Sequence, residues 1–212
     1  MLPLALTMGE PAGIGAEIAA AAWRALRATG PAFVLIDDAR RSFGVPVETV
    51  ADPAAADDAF ARALPVLHRP LPARVEPGKP HVANAPVVVA AIAEAVALAR
   101  AGKVGAVVTN PIQKSILAAA GFPHPGHTEF LGTLAGTGTP PVMMLACPQL
   151  RVVPVTVHEP LARAIARLTP EMIAGTARLV AGELTRRFAI VRPRLAIAGL
   201  NPHAGEDGTM GR

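Results

Sequence analysis

Short apolar runs alternate along the chain with Ala-rich stretches in which apolar residues recur at helical spacing. Residues 2–8, 32–37 and 104–109 have the length and composition of strands, and the last of these has the pattern of a buried strand. Residues 15–28 and 86–102 have the pattern of helices. Strands that alternate with helices are typical of a parallel sheet covered by helices, so the pattern predicts an α/β fold.

Local signals mark both ends of the long helix in the middle of the chain. Pro86 stands at its predicted first position and Gly102 at its end, which are the places where each residue type is favoured. Residues 46–85, before this helix, contain many prolines and show little periodicity. We therefore predict that this preceding segment is irregular or weakly structured.

The second half of the chain begins with two apolar runs, PVMMLA and LRVVPVTV, which the residues CPQ join into a predicted β-hairpin. A helical segment, PLARAIARL, follows. Thr169 as cap and Pro170 as first residue then predict a longer helix. Its last turn carries Arg186 and Arg187, as the negative end of a helix dipole favours. Residues 194–200 have the pattern of a final strand.

These elements divide into two predicted subdomains. Residues 1–124 form an N-terminal α/β subdomain, and residues 125–212 form a second α/β subdomain. We place the boundary in the Pro- and Gly-containing segment near residues 122–126, because such segments commonly link compact units.

Composition excludes several classes of protein. The chain has 212 residues, of which 51% are hydrophobic and 17% charged, so it can bury a core and is too apolar for a disordered protein. The net charge is +4, but the 20 Lys and Arg residues are dispersed and only 3% of residues are aromatic. A nucleic-acid partner is therefore disfavoured, because base stacking and clustered basic charge are both lacking.

The N-terminus, the longest apolar stretch and the single cysteine indicate the cellular compartment of the protein. The N-terminus has no basic region, and Gly9, Glu10 and Pro11 interrupt its apolar run, so we expect no signal peptide. The most apolar long stretch, residues 130–150, is punctuated by Gly, Thr and Pro, and we expect no membrane span. Cys147 cannot form an intramolecular disulfide and is predicted to be buried and unreactive, which fits a cytoplasmic protein.

The segment GEPAGIG places three glycines between the first strand and the first helix. Bare amide groups at such a position can hold a phosphate or another anion. The spacing fits neither the dinucleotide fingerprint nor the P-loop, and a tight structural turn is the favoured explanation of the glycines. A second loop, TNPIQKS, brings Lys114 near the carboxyl end of the strand at 104–109, where α/β sheets bind ligands. The alternative for Lys114 is an ordinary solvated lysine.

Three of the six histidines lie in loops expected at one edge of a sheet. His127 is in PGHTEF, His158 ends the run VVPVTV, and His203 follows the predicted last strand. Two strand-end imidazoles such as His158 and His203 suit a divalent transition metal, which would need a third ligand. The alternative is a structural, hydrogen-bonded histidine in each case. The other three histidines stand in Pro-rich loops and are predicted to be surface residues: His68, His81 and His124.

Five motifs, taken in order, identify a family that the chain resembles. They are GEPAGIGAE, TNPIQK, AGFPHPGHTEFL, VTVHEPL and GLNPHAGEDGTMG, and they extend over nearly the whole chain. They resemble the signatures of 4-hydroxythreonine-4-phosphate dehydrogenase, the PdxA family of vitamin B6 biosynthesis. The pieces GHTE and LNPHAGE together are highly specific.

The resemblance implies a fold, an assembly and a reaction. The fold would be an isocitrate- or isopropylmalate-dehydrogenase-like α/β/α sandwich with two subdomains, and the protein a homodimer with active sites where domains and subunits meet. The dimer interface would lie in the second subdomain. The C3 hydroxyl of 4-phosphooxy-L-threonine would be oxidised, with NAD or NADP accepting the hydride from C3, and the resulting β-keto acid would lose CO2 to give 3-amino-2-oxopropyl phosphate.

The resemblance also assigns site residues. His127 and Thr128 match the family's substrate-binding pair. His158 and His203 match two of its three metal-binding histidines, for Zn, Mg or Co. In such a site the metal lowers the pKa of the substrate hydroxyl and stabilises the developing alkoxide.

The family pattern continues beyond the last motif of this chain, with a third metal histidine and with Lys, Asn and Arg residues that hold the substrate. We therefore expect the chain to be a C-terminally shortened member. Two alternatives remain open on the sequence. One is a related dehydrogenase that acts on threonate or erythronate 4-phosphate or on a cis-dihydrodiol, and the other is a non-catalytic remnant.

Overall fold

The computed structural model describes residues 1–41, 43–199 and 201–209. The chain divides into two compact units, Met1–Pro141 and Val142–Arg212. The boundary predicted between residues 124 and 125 therefore lies inside the first unit.

A five-stranded parallel sheet organises the first unit, with the strand order β3-β4-β2-β1-β5. The predicted parallel α/β sheet and its first βαβ unit are thus confirmed. In chain order the elements are β1 (Leu4–Thr7), α1 (Gly15–Leu26), β2 (Phe33–Asp37), β3 (Val47–Thr49), α2 (Ala56–Phe60), β4 (Leu64–His68), α3 (Ala85–Arg100), β5 (Ala106–Thr109), α4 (Lys114–Ala119) and α5 (His127–Ala135).

Side chains alternate across the sheet, so that each face carries its own core. Ala5 and Val34 point to the face that α3 covers. Leu6 and Leu35 point to the opposite face, where they pack with Trp23 of α1. The two faces are therefore buried by helices on both sides, which explains why the strands are continuous apolar runs rather than alternating ones.

Helix α3 is the main support of the first face. It begins next to Pro86 as predicted, and Gly102 after its end has φ +68°, a left-handed conformation that glycine adopts without strain. Val88 and Ile92 are almost completely buried. The stretch Val82–Arg100 is long and apolar enough to cross a membrane by length and composition alone. Its packing against the sheet instead identifies it as a core helix.

The prediction that residues 46–85 are irregular or weakly structured is wrong. This segment contains β3, α2 and β4, together with short 3-10 turns at Pro53–Ala55 and Val82–Asn84. The two strands have only three and five residues, and β4 includes Pro65. They form because β4 pairs with β2 and β3 then pairs with β4, so tertiary pairing overrides weak local signals.

Strand β5 is present where it was predicted, but the expectation that it is buried is wrong. In the described part of the chain it pairs with β1 alone and forms one edge of the sheet. Ala106 and Val108 are exposed, because nothing among the described residues covers this side of the strand.

The second unit contains a hairpin and two helices. Their bounds are β6 (Leu145–Ala146), β7 (Arg151–Val152), α6 (Leu161–Arg167) and α7 (Pro170–Phe188). The hairpin and both helices were predicted. The Thr169 side chain accepts a hydrogen bond of 3.3 Å from the amide of Met172, which confirms it as the cap of α7.

Three predictions for the second unit are wrong. Residues 194–199 form no strand, and Leu200 lies outside the described residues. The run VVPVTV is a strand only up to Val152, so His158 does not end one. Cys147 is exposed, not buried. An apolar run becomes a strand only where a neighbouring strand completes its backbone hydrogen bonds, and within the described residues of this unit only β6 and β7 do so.

Candidate functional site

Two loops meet at the carboxyl edge of the sheet, one after β1 and one after β5. The amide of Glu10 donates a hydrogen bond of 2.8 Å to the carbonyl of Pro111. The buried side chain of Asn110 donates a bond of 3.3 Å to the carbonyl of Gly15. Because β1 and β5 are neighbours, these bonds join the GEPAGIG and TNPIQKS segments at the edge where open α/β sheets bind ligands.

The glycines of GEPAGIG are explained by close backbone approach. Gly9 has φ +69°, and a Cβ there would lie 2.5 Å from the carbonyl oxygen of Pro111. A Cβ on Gly15 would lie 2.4 Å from the carbonyl oxygen of Met8. The amides of Ala12 and Gly13 bond internally, to the side chain and the carbonyl of Glu10. Of the two interpretations of this segment, the structure favours the tight turn.

The ion pair between Asp37 and Arg41 fixes the GEPAGIG turn to the end of β2. Asp37 ends β2 and is fully buried, and Arg41 binds its carboxylate at 2.6 and 2.8 Å. Burial raises the pKa of Asp37, and the Arg41 guanidinium opposes that rise. Arg41 also donates a bond of 2.6 Å to the carbonyl of Pro11. The loop after β1 is therefore fixed to β2 as well as to the loop after β5.

A cavity of about 510 Å³ lies next to this ion pair. Gly13, Glu17, Asp38, Arg40 and Arg74 are among its lining residues. Three arginines and two carboxylates line it, but Asp38 is already bound by Arg40 at 2.9 Å, and Arg41 is bound to Asp37. No sequence pattern indicated this cavity, because its walls come from separate loops.

Lys114, which follows β5, lies beside the start of α5, where His127 and Thr128 stand, although 11 residues separate Lys114 from Gly126 along the chain. Lys114 is the first residue of α4, and His127 and Thr128 are the first two of α5. Gly126, the cap position of α5, is buried beside the lysine: a Cβ there would lie 3.5 Å from Lys114 Nζ. These three residues, which we call the lysine–histidine corner, comprise both predicted substrate-binding residues and the candidate Lys114.

Electrostatics keep the imidazole of His127 neutral. Burial of the ring and, second, the positive charge of Lys114 lower the pKa of His127 below its usual value. Its Nε2 atom is buried and has no hydrogen-bond partner in the described part of the chain. A neutral imidazole with an unused nitrogen can donate or accept one further hydrogen bond.

Aromatic contacts set the position of α5. Phe122 and Phe130 meet edge to face with ring centroids 4.9 Å apart. His124 lies between them in sequence, half-buried, with its ring 5.1 Å from that of Phe130. His124 was predicted to be a surface residue, and this packing corrects that expectation. The cluster folds α5 back so that its first turn faces Lys114.

The two predicted metal histidines lie in different segments of the second unit. His158 has a left-handed backbone, with φ +56°, and an exposed ring. Its neighbour Glu159 is bound by Arg167 at 3.1 Å. A left-handed backbone is uncommon for a residue other than glycine, and it persists only where the surrounding structure holds it. Such residues are found more often at functional sites.

His203 is exposed and held by its own loop. Its amide donates a bond of 2.9 Å to the side chain of Asn201, and its Nδ1 lies 2.5 Å from a carboxylate oxygen of Glu206. A carboxylate on one ring nitrogen orients the other nitrogen as a metal ligand. Both predicted metal histidines are thus exposed, and the ring of His203 is oriented by a carboxylate. Among the described residues, no three His, Cys, Asp or Glu side chains are grouped as a metal site would require.

Comparisons with known proteins agree on one family. The family model described as pyridoxal phosphate biosynthetic protein PdxA matches residues 24–212. A 4-hydroxythreonine-4-phosphate dehydrogenase of Bradyrhizobium diazoefficiens is 51% identical over 228 residues, which cover 99% of this chain and 66% of that protein.

Solved structures give the same result. The chain is similar to the crystal structure of a 4-hydroxythreonine-4-phosphate dehydrogenase from Klebsiella pneumoniae, with a TM-score of 0.86, 33% identity and coverage of 100% of this chain and 68% of that one. It is also similar to a terephthalate 1,2-cis-dihydrodiol dehydrogenase from Burkholderia xenovorans, with a TM-score of 0.66, 30% identity and coverage of 100% and 65%.

The chain spans about two thirds of the length of the relatives that it matches. The predicted fold class, an α/β fold of the kind found in this dehydrogenase family, is confirmed by these structures and by the parallel sheet.

Proposed function

The chain belongs to the PdxA family, and from this membership we propose that it functions in the oxidation of 4-phosphooxy-L-threonine during vitamin B6 biosynthesis. The observation that carries the proposal is the 51% identity to a 4-hydroxythreonine-4-phosphate dehydrogenase over 99% of the chain. The lysine–histidine corner supports it, because it brings the predicted substrate-binding pair to the ligand-binding edge of the sheet.

The proposed chemistry has two stages. The C3 hydroxyl of the substrate loses its proton and carbon C3 loses its hydrogen as a hydride, which NAD or NADP would accept. The resulting β-keto acid then loses CO2 and gives 3-amino-2-oxopropyl phosphate. His158 and His203 would hold a divalent metal (Zn, Mg or Co), which would supply Lewis acidity for that hydroxyl.

His127 and Thr128 bind and orient the substrate in this proposal. The neutral imidazole and the threonine hydroxyl each offer one directional hydrogen bond, and the first turn of α5 favours an anionic group. Because the pKa of His127 is lowered, the ring stays neutral at physiological pH and can act as a donor or an acceptor. The negative groups of a phosphorylated acid fit this environment.

The proposed setting rests on the family resemblance. We propose a cytoplasmic homodimer with one subdomain at residues 1–124 and a second at 125–212 that carries the metal histidines and the dimer interface. Neither a nucleic acid nor a membrane is a proposed partner.

The test is NADH formation by the purified chain with added zinc or magnesium and 4-phosphooxy-L-threonine. We expect turnover that His158→Ala reduces by at least about 100-fold, the upper range for disturbing a metal site. His81→Ala is the matched control, since His81 is an exposed histidine that only caps a short 3-10 turn through its ring. A folded chain without turnover on any substrate, or equal rates for all three proteins, contradicts the proposal.

A second candidate activity concerns the substrate. The similarity to a terephthalate 1,2-cis-dihydrodiol dehydrogenase favours testing a cis-dihydrodiol beside threonate and erythronate 4-phosphate. The same assay with these compounds separates the alternatives through their kcat/KM values. A preference for one of them keeps the dehydrogenase assignment and replaces the substrate. Absence of turnover with all of them supports a non-catalytic role.

A further inference from the structure

Lys114 differs from the other two lysines of the chain in having no partner within the part of the chain that the structure describes. Lys79 lies 3.0 Å from Glu76, and Lys103 lies 2.6 Å from Asp52. For Lys114, the described residues place no carboxylate within 4.0 Å of Nζ and no acceptor within hydrogen-bond distance. An ammonium group that is free of carboxylates can bind an external anion without breaking an existing pair.

The free ammonium group is nevertheless held in a defined place. Its Nζ and Cε lie against the buried Gly126, each 3.5 Å from where a Cβ would stand. A Cβ at that position would be in ordinary van der Waals contact with the lysine, so Lys114 packs directly against the start of α5. The charge is also close enough to His127 to lower the pKa of that ring.

Further unused groups surround the same point. His127 Nε2 is buried without a partner among the described residues. Gly126 supplies no side-chain cap, so the first amides of α5 receive no hydrogen bond from one. Buried polar atoms are normally paired, so an unpaired one beside a free cation is suited to binding an external oxyanion.

One group opposes an anion at this place. Glu129 Oε2 lies 3.6 Å from the same Cβ position on Gly126. Its carboxylate is in the first turn of α5, which the helix dipole stabilises, and it does not come within 4.0 Å of Lys114 Nζ. An incoming anion therefore meets one lysine charge and one glutamate charge, and removing the glutamate charge should tighten binding.

We propose that Lys114 belongs to the same ligand site as His127 and Thr128 and holds the phosphate group of the substrate there. The assignment of this site to a substrate rests on the proposed function, whereas the role of Lys114 rests on its unpaired charge and its place in the corner. A phosphate monoester suits the site because its two negative charges and three acceptor oxygens match an ammonium group, an imidazole and helix amides.

Binding of inorganic phosphate to the 212-residue chain tests this assignment. The ring resonances of His127 are followed by NMR during a phosphate titration at constant ionic strength, since surface charges are screened by salt. Lys114→Met removes the charge and keeps the length of the side chain, and Lys114→Arg restores the charge. Lys103→Met is the matched control, because Lys103 is an exposed lysine at the other end of β5.

We expect phosphate to shift the His127 resonances saturably in the wild-type protein. Lys114→Met should weaken this binding by about tenfold or more, the worth of one hydrogen bond to a charged group. Lys114→Arg should retain most of it, Lys103→Met should leave it unchanged, and Glu129→Gln should strengthen it. In the absence of phosphate, the pKa of His127 should be higher in Lys114→Met than in the wild type.

Two results overturn the assignment of Lys114. One is that phosphate fails to shift His127 in the wild-type protein, and the other is equal affinity in wild type and Lys114→Met. The phosphate titration and the turnover assay distinguish failure of this assignment from failure of the proposed function. Phosphate binding that depends on Lys114, in a protein without turnover, supports the assignment of Lys114 and contradicts the dehydrogenase proposal. Turnover with an unchanged KM in Lys114→Met supports the dehydrogenase proposal and contradicts the assignment of Lys114.

Discussion

Gly9 stands where two constraints on the backbone coincide. Its φ of +69° is in the left-handed region, and a Cβ would lie 2.5 Å from the carbonyl oxygen of Pro111. We expect Gly9→Ala to lower the free energy of unfolding by about 2 kcal/mol or more, because strain and overlap add. Denaturation with urea, monitored by circular dichroism, measures the change.

Gly78 provides the control for that substitution. It has φ +75°, but nothing lies within 4 Å of its Cβ position. Gly78→Ala should therefore show the conformational part alone, about 1 kcal/mol. Equal losses at the two positions would mean that the contact between the loops after β1 and β5 does not restrict Gly9.

Asp38 makes stability depend on pH. The hydrogen bond from the Arg40 side chain, followed by weaker bonds from backbone amides, holds the pKa of Asp38 well below its usual 3.8, although burial opposes this. The unfolded chain then binds more protons than the folded one in acid, so stability rises with pH. This contribution is complete above the unfolded pKa and is lost as pH falls below about 4.

Asp38→Asn should therefore reduce the free energy of unfolding at pH 7 and make its decline between pH 5 and pH 3 less steep. Urea denaturation at several pH values measures both effects. Asp57→Asn is the control, since the structure gives this exposed carboxylate of α2 no partner among the described residues. An equally steep decline in Asp38→Asn and in the wild type would contradict the role of Asp38.

At the scale of secondary-structure elements, those with local start and stop signals could be predicted from the sequence. α3 begins beside Pro86, and α7 begins after the Thr169 cap. The strands of the first βαβ unit were found because both faces of the sheet are buried, which makes them apolar throughout. In these places local preference and tertiary packing agree.

Other elements depend on what lies beside them. β4 contains Pro65 and exists because β2 offers it a parallel partner, which no local pattern reveals. Residues 194–199 have the composition of a strand, but no strand among the described residues pairs with them, and they are irregular. A strand forms only where a neighbouring strand pairs with it, so the apolar character of a single run is not enough to predict one.

The candidate site was predictable to a smaller degree. His127 and Thr128 were identified through the resemblance of GHTE to a family motif. The approach of Lys114 to His127 could not be predicted, since it depends on the aromatic contact of Phe122 with Phe130 that sets α5. The spatial arrangement of these residues therefore depends on packing between elements, which the sequence motifs do not reveal.

At the scale of the whole molecule, the hydrophobic core is unevenly distributed. Both core clusters of the sheet lie entirely within the unit Met1–Pro141. Among the described apolar residues of the second unit, only Val180 and Leu184 are buried, whereas Leu161 and Val191 are 74% and 82% exposed. Most of the hydrophobic stabilisation of the chain thus comes from the first unit.

This distribution predicts that the fragment 1–141 folds on its own and that the fragment 142–212 does not. The first keeps all five strands of its sheet together with α1 and α3 on its two faces. The second has about 70 residues, a size at which a single core rarely offsets chain entropy, and it buries two apolar side chains in its described part. Thermal melts of both fragments by circular dichroism should show a cooperative transition for 1–141 alone. A cooperative melt of 142–212 would show instead that α6 and α7 form a core which their exposed apolar residues do not indicate, and that the second unit is an independent domain.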